Sequence, residues 1–428
     1  MTKVAFIGAG SATFTRELLS DLFAYEELRG LEIALHDIDA ERLATSEALA
    51  KRLDADLGAG ARISAHTDRR AALDGVDFAI NMVQVGMHEA TVLDLELPAR
   101  HGLRQTIGDT LGVGGIFRAL RTIPVLLGIG QDLAEVSPGA WLLNYTNPMA
   151  ILCQAYAEGS PHKQIVGLCH SVQNTTRELA ELCGVPFEEV TFTGAGVNHQ
   201  AFILRFERGG ENLYPRLDAA IEADPELLRR VRVELYRRLG FYPTESSEHG
   251  AEYVPWFLRD ERNVERYRLE PNEYIRRSLE NLEDYEQVRA AVSNGGAIPM
   301  ERSYEYAPEI VHSMVTGTPR VIYGNVRNEG LIAALPPEGT VEVPVLVDDT
   351  GLRPTIVRDY PPQLAALNRT FLNVADLTVK AALTGDRRHV LHAAMLDPNT
   401  AATLGLDEIE VLVGELLEAH AGRLPAGL

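Results

Sequence analysis

Cys169 and His199 are the two side chains of this sequence best suited to share a divalent transition metal. One stands in Gly167-Leu168-Cys169-His170-Ser171-Val172 and the other in Gly196-Val197-Asn198-His199. A thiolate is a soft ligand and an imidazole a borderline one. Two protein ligands leave coordination positions open for substrate oxygens, unlike a closed structural zinc. The plainer alternatives are a buried cysteine acting as a small hydrophobe and a hydrogen-bonded core histidine. Cys153 and Cys183, on expected helices, are assigned to packing.

Upstream, Phe6-Ile7-Gly8-Ala9-Gly10-Ser11 has the form of a dinucleotide-binding turn. Gly8-Ala9-Gly10-Ser11-Ala12-Thr13 departs from G-x-G-x-x-G at Thr13. The first two glycines make the turn and admit the pyrophosphate, whereas the third only eases helix–strand packing. A pyrophosphate would rest on the helix N-terminus that follows, against Gly8, Gly10, Ser11 and Thr13. Asp37, ending the second expected strand, can accept hydrogen bonds from a ribose diol, which favours NAD over its phosphorylated form. A glycine-dependent strand–turn–helix that holds no nucleotide is the competing explanation.

Two further segments carry polar groups to strand ends. In Asn144-Tyr145-Thr146-Asn147-Pro148, Asn147 can offer a donor and an acceptor to vicinal hydroxyls, or it can serve as a turn residue. Ile107-Gly108-Asp109-Thr110, with Gly112, Gly114 and Gly115 following, is a glycine-rich loop that opens a helix. Asp109 is placed to orient a base or touch the cofactor, or simply to cap that helix.

The elements that must position these groups follow from periodicity. Strands are expected at Val4–Ile7, Glu32–His36, Arg62–Ala65, Phe78–Met82, Trp141–Asn144 and Ile165–Leu168, with helices at Thr13–Phe23, Glu41–Leu57 and Ile116–Ala134 between them. This alternation is that of βαβ units and a parallel sheet, whose ligands collect at the carboxyl edge. Gly8, Asp37, Asn147 and Cys169 would all fall there. From about Asn198 the alternation is lost. Helices are expected at Leu217–Leu239, Asp284–Val292, Pro362–Leu383 and Asp407–His420, and strands at Leu335–Glu338 and Val341–Val347. The expected fold is α/β, a Rossmann-type doubly wound parallel sheet over residues 1–197, with a mixed α+β second domain over 198–428 for substrate and oligomer contacts. No internal repeat or long linker interrupts the chain.

The 428 residues allow two domains. No apolar run approaches the roughly 20 residues that cross a bilayer, and the N-terminus runs straight into the glycine turn with no signal peptide. Three cysteines without disulfide-like spacing suggest a reducing, cytoplasmic setting. A net charge of -21 argues against nucleic acid or anionic lipid as partners.

Taken together, Gly8-Ala9-Gly10-Ser11, Gly108-Asp109-Thr110 with Gly114-Gly115, Asn144-Tyr145-Thr146-Asn147-Pro148, Cys169-His170-Ser171-Val172 and Gly196-Val197-Asn198-His199 resemble glycoside hydrolase family 4. Pro243-Thr244-Glu245-Ser246-Ser247-Glu248-His249 and Glu252-Tyr253-Val254-Pro255-Trp256 extend the likeness through most of the chain. This family is an NAD-dependent exception to the two-carboxylate rule for glycosidases. The resemblance implies NAD, a divalent metal (usually Mn2+), a fold similar to the lactate and malate dehydrogenases, and a homodimer or homotetramer. By position, Cys169 and His199 would hold the metal, and Asn147, His170 and Asn198 would meet the sugar. Cys-His-Ser resembles the melibiase-type α-galactosidases, whereas phospho-sugar members carry Asp or Asn after the cysteine. The stretch Glu89–Glu96, where phospho-sugar members use an arginine, contains no basic residue. A non-phosphorylated α-glycoside is the implied substrate.

The chemistry so implied is redox elimination. A sugar C2–H is too weak an acid for any side chain, but oxidation of C3 by NAD acidifies it, and the metal stabilises the enediolate. The C1–O bond then breaks by elimination, water adds, and the hydride returns. His170 is the candidate for protonating the departing oxygen. The C2 base is Tyr253 or His249, with Tyr253 preferred and Asp109 as its activator. Glu245 and Glu248 are assigned to a loop shaping the sugar site. A uronic-acid α-glycosidase is the alternative within the family. A 2-hydroxy-acid dehydrogenase would need a substrate-binding arginine with a His–Asp pair, which the sequence does not identify, and a sensor would need no open metal site.

Overall fold

The computed structural model describes residues 1–300 and 302–428. Val4, Ala5, Phe6 and Ile7 are each at most 1% exposed, as a strand covered on both faces requires. They form most of β1 (Lys3–Ile7), which pairs in parallel with β2 (Glu32–His36) on one side and β4 (Phe78–Asn81) on the other. β3 (Arg62–His66) lies outside β2, and β5 (Trp141–Asn144) and β6 (Ile165–Leu168) lie beyond β4. The order β3-β2-β1-β4-β5-β6 is the doubly wound one, with its switch point between β1 and β4. Helices Ala12–Ala24, Ala40–Leu57 and Gly112–Val136 link and cover these strands.

The second half extends the same sheet. β7 (Val190–Val197), β8 (Gln200–Arg208), β9 (Glu211–Asn212), β10 (Tyr242–Pro243), β11 (Arg320–Arg327), β12 (Thr340–Asp348) and β13 (Gly351–Pro354) are joined to one another by antiparallel pairs. β11 docks on β6, and the sheet continues through β12, β7, β8 and β10. The division expected at 197/198 falls in the turn of the β7–β8 hairpin, and the sheet crosses it without interruption.

Several expectations need correction. Leu217–Leu239 is not one helix but two, Tyr214–Ala223 and Val231–Leu239, separated by a short 3-10 turn. Asp224 precedes Pro225 and takes an extended conformation, because proline disfavours the helical region for the residue before it. Leu335–Glu338 is a turn, not a strand. The Asn328 amide donates to the carbonyls of Ile332, Leu335 and Pro336 and closes it. The helix around Asp284–Val292 runs from Glu273 to Asn294. The helix Gly112–Val136 is long and apolar enough to cross a membrane by composition, but 78% of its apolar window is buried against the rest of the fold.

Candidate active site

Five loops converge at the carboxyl edge of the parallel strands. Cys169 follows β6, Asn147 follows β5, and His199 sits at the tip of the two-residue turn between Val197 and Gln200. His199 has a φ of 63°, a left-handed conformation uncommon outside glycine, and the turn fixes it with its ring buried to 6% exposure. The loop after β10 brings Glu245. Ser246 then accepts the His249 N–H and starts the helix Ser247–Glu252.

Ligand atoms of Cys169, His199 and Glu245 all lie within 4.8 Å of one another, and so do those of Asp109, His199 and His249. The His199 ring links the two groups. Its Nε2 is 3.4 Å from Glu245 Oε2, and its Nδ1 is 2.9 Å from Thr110 Oγ1. His249 Nε2 lies 3.2 Å from Asp109 Oδ1, and the His199 and His249 rings are 4.6 Å apart. The Asn147 amide donates to Asp109 Oδ2 at 3.0 Å while its own Oδ1 has no partner. Asp109 therefore does not cap the helix that follows. The residue at the N-cap is Leu111, and Asp109 is held by Thr110, Asn147 and His249.

The electrostatics are those of a cluster short of cations. Burial pushes the Cys169 thiol up to about 12, and the Glu342 and Glu245 carboxylates add to it. Burial also opposes ionisation of Asp109, but the His249 hydrogen bond and the charges of His249, Arg118 and His199 bring it well below the usual carboxylate range. Glu245 is likewise lowered, because His199 and His249 outweigh its burial. Burial works against a charged His249, yet Glu245 and Asp109 raise it. Burial lifts Glu342 up to about 7. A divalent cation is the group this donor set lacks. It would deprotonate the thiol outright and relieve the crowding of carboxylates. The residues fit it.

His170 stands apart, with its side chain 53% exposed and Nδ1 2.9 Å from Glu305 Oε1. The hydrogen bond to Glu305 raises it to about 10. Tyr253 is 2% exposed and packs edge-on against Phe371, and its hydroxyl has no hydrogen bond. Burial, with Asp109 and Glu252 nearby, raises its pKa well above 10. His249, not Tyr253, is the side chain in direct contact with Asp109. Asn198 is fully buried with neither amide atom partnered.

At the glycine turn, Gly8 has a φ of 85°, and an added Cβ would come to 3.0 Å from the Val83 backbone. A Cβ on Gly10 would stand 2.6 Å from Asp37 Oδ2. Asp37 takes the Gly10 and Asp39 N–H groups, at 2.7 and 2.9 Å. Ser11 precedes the helix Ala12–Ala24 without capping it by its side chain, so the first N–H groups, near Thr13, remain open to an anion. This cradle fits a dinucleotide.

Two residues escaped sequence reasoning. Glu245, expected in a loop shaping the sugar site, lies with the thiol and the imidazole. Glu252 Oε1 accepts the N–H groups of Thr106, Ile107 and Gly108 at 2.6, 3.0 and 2.9 Å, and thereby shapes the loop that carries Asp109. Both are acidic residues in Thr244-Glu245-Ser246-Ser247-Glu248-His249-Gly250-Ala251-Glu252. Their number in so short a stretch was the available signal, but their separate tasks were not visible in it.

Residues 3–185 match the profile of the family 4 glycosyl hydrolases and residues 194–400 that of their C-terminal domain. An α-galactosidase of Bacillus subtilis is 41% identical over 432 residues, which span 99% of each chain. The crystal structure of lplD from Bacillus subtilis superposes with a TM-score of 0.90 at 24% identity, covering 97% of this chain and 100% of that one. The 6-phospho-β-glucosidase of Thermotoga maritima, determined with manganese, NAD+ and glucose-6-phosphate, gives 0.83 at 22% identity, with 99% and 100% covered. Profile matches over both halves of the sheet and identity along nearly the whole length agree with the geometry of the cleft: the chain belongs to the family 4 glycosyl hydrolases.

Proposed function

We propose that the protein is an NAD- and divalent-metal-dependent α-glycosidase acting on non-phosphorylated α-galactosides. The observation that carries this reading is the convergence of Cys169, His199 and Glu245 within 4.8 Å, beyond the carboxyl end of β6 in the same parallel sheet whose β1 runs into the glycine turn. The relative at 41% identity, an α-galactosidase, supports the choice of sugar. Cys169, His199 and Glu245 would hold the metal, and Gly8, Gly10, Ser11, Thr13 and Asp37 the NAD. Bound there, the nicotinamide supplies reversible oxidation at sugar C3 and the cation supplies Lewis-acid polarisation of the adjoining oxygens.

The side chains do the proton work. His249, between Asp109 and Glu245, takes the C2 proton in its neutral form, and Asp109 orients the ring and stabilises the imidazolium. This assignment replaces Tyr253, whose buried hydroxyl resists ionisation. The unpartnered Oδ1 of Asn147 and the Asn198 amide accept and donate to sugar hydroxyls. His170, exposed and held protonated by Glu305, delivers a proton to the departing oxygen. Three free cysteines suit a reducing cytoplasm, where a thiolate ligand survives. A homodimer or homotetramer goes with the same proposal.

Incubation with p-nitrophenyl α-galactoside, NAD, Mn2+ and a reductant in heavy water tests it. The expected result is release of p-nitrophenol with deuterium at C2 and no net NADH. Cleavage without C2 exchange rejects the elimination route. One observation favours a second substrate, a uronide. Arg118 is 8% exposed, donates Nε–H to the Asn147 carbonyl at 3.2 Å, and has no carboxylate ion pair among the described residues. A higher kcat/KM for the galacturonide than for the galactoside would establish that alternative.

A further inference from the structure

Across the floor of the cleft, four residues on neighbouring strands lie in one lateral row. Gly167 of β6 pairs with Asn325 of β11, Asn325 with Glu342 of β12, and Glu342 with Gly196 of β7. Paired residues on adjacent strands project to the same face. Asn325 and Glu342 therefore stand side by side, flanked by two glycines that add no bulk. Asn198 stands two residues beyond Gly196, at the base of the His199 turn, and is therefore the diagonal neighbour of Glu342 on that face. Diagonal neighbours of this kind have Cα atoms roughly 7 Å apart, within reach of a glutamate and an asparagine side chain.

Glu342 is 0% exposed, and neither carboxylate oxygen has a hydrogen-bond partner among the described residues. Both amide atoms of Asn198 and the Oδ1 of Asn325 are equally without partners. The two carboxamides are nonetheless near enough to favour the charged carboxylate, as is His199, while Glu245 opposes it. No arginine, lysine or histidine forms an ion pair with Glu342 among the described residues. A buried carboxylate left like this is destabilising, and a fold that only needed packing would place an apolar side chain there. A cation held by Cys169, His199 and Glu245 would supply the missing positive charge, and Asn198 stands between Glu342 and His199 along the chain and the sheet.

We infer that Glu342 is a positioning residue of the cation site: its carboxylate, diagonal to Asn198, attracts that carboxamide and sets the orientation of the turn that carries His199, without touching the ion. The inference rests on the reading above that Cys169, His199 and Glu245 hold a divalent cation. Residues behind metal ligands commonly change metal affinity by about 10- to 100-fold. Glutamine at 342 keeps the shape, but it removes the charge and sets an NH2 group against the two asparagines.

The test is a titration of the full chain with Mn2+ alone, with free ion followed by electron paramagnetic resonance. Glu342→Gln is expected to weaken Mn2+ binding by about 10- to 100-fold, with thermal melting checking that the fold is kept. Asn198→Ala is expected to weaken it to a similar extent, and the double variant no further than the weaker single one, as befits two residues acting through one another. A Glu342→Gln protein within twofold of wild type overturns the inference, and so do additive losses in the double variant. If Glu342→Gln does not fold, Asn198→Ala decides alone, since wild-type Mn2+ affinity there removes the route by which Glu342 acts. A wild-type chain that takes up no Mn2+ brings down the preceding reading and this inference together, a result distinct from selective failure of the variants.

Discussion

Two buried charged clusters lie in this fold, and their carboxylates are hydrogen-bonded very differently. Arg121 is 1% exposed in the helix Gly112–Val136, and Asp94 is 2% exposed in the helix Met87–Arg100. The guanidinium grips both carboxylate oxygens, at 3.0 and 2.5 Å, and its Nε–H reaches the Val85 carbonyl at 2.9 Å. In the cleft, Asp109, Glu245, Glu342 and Cys169 gather around two histidines, and Glu342, Asn198 and Asn147 keep unpartnered atoms. Buried polar groups in native proteins are nearly always satisfied. The Arg121–Asp94 pair is closed and holds helices together, with the His420 ring 3.0 Å from Asp94 Oδ1, whereas the second cluster leaves carboxylate and carboxamide oxygens without partners among the described residues.

The difference can be broken from either side. Cys169→Ser should leave thermal stability nearly unchanged, because the thiol has no protein partner to lose. It should cut Mn2+-dependent hydrolysis by about 1,000-fold, the worth of several kcal/mol of Lewis-acid stabilisation. A variant that unfolds, or one that keeps full activity, would erase the contrast. Asp94→Ala should do the reverse. Stranding Arg121 in the interior should cost about 3–5 kcal/mol in urea melts, with NAD and Mn2+ affinities of the folded protein intact.

The pH dependence of stability sharpens the same comparison. Asp109 is lowered in the fold, so its contribution is present above the unfolded carboxylate value near pH 4 and is lost as pH falls through its folded value. His249 is raised, so its contribution is complete below about pH 6.5 and is lost as pH rises through its folded value. Glu342, raised by burial to about 7, binds its proton more tightly folded than unfolded and penalises the fold as pH climbs from about 4 to 7. The stability difference between wild type and Asp109→Asn, measured by denaturant melts across pH, should be largest near neutrality and shrink below pH 4. A difference independent of pH would show that the Asp109–His249 contact does not stabilise the charged forms.

The smallest effect is expected at the glycine turn. Gly10→Ala would press a Cβ to 2.6 Å from Asp37 Oδ2. It should weaken NAD binding by about tenfold, the order of one overpacked methyl, without altering Mn2+ affinity. Fluorescence titration with NAD measures this, and unchanged binding would separate the turn from the cofactor.

What the sequence determined was local or carried by resemblance. The apolar run Val4–Ile7, the glycines at 8 and 10, the aspartate ending β2 and the cysteine ending β6 each announce a strand end, because backbone geometry and residue type meet within a few positions. The motifs also placed the chain in its family. Only the tertiary structure decided that Glu245 joins a thiol 76 residues earlier in the chain, that Glu252 ties down the loop bearing Asp109, that Tyr253 is sealed behind His249, and that Glu342 lies under the cleft. Strand alternation tells which face a side chain takes, but not which strand will lie beside it. β11 and β12 come from the distant second half and insert between β6 and β7, and only that pairing sets Glu342 beside Asn325 and diagonal to Asn198. Contacts so far apart in sequence are fixed by the burial of whole surfaces and the register of the sheet, and neither leaves a mark in any short stretch of residues.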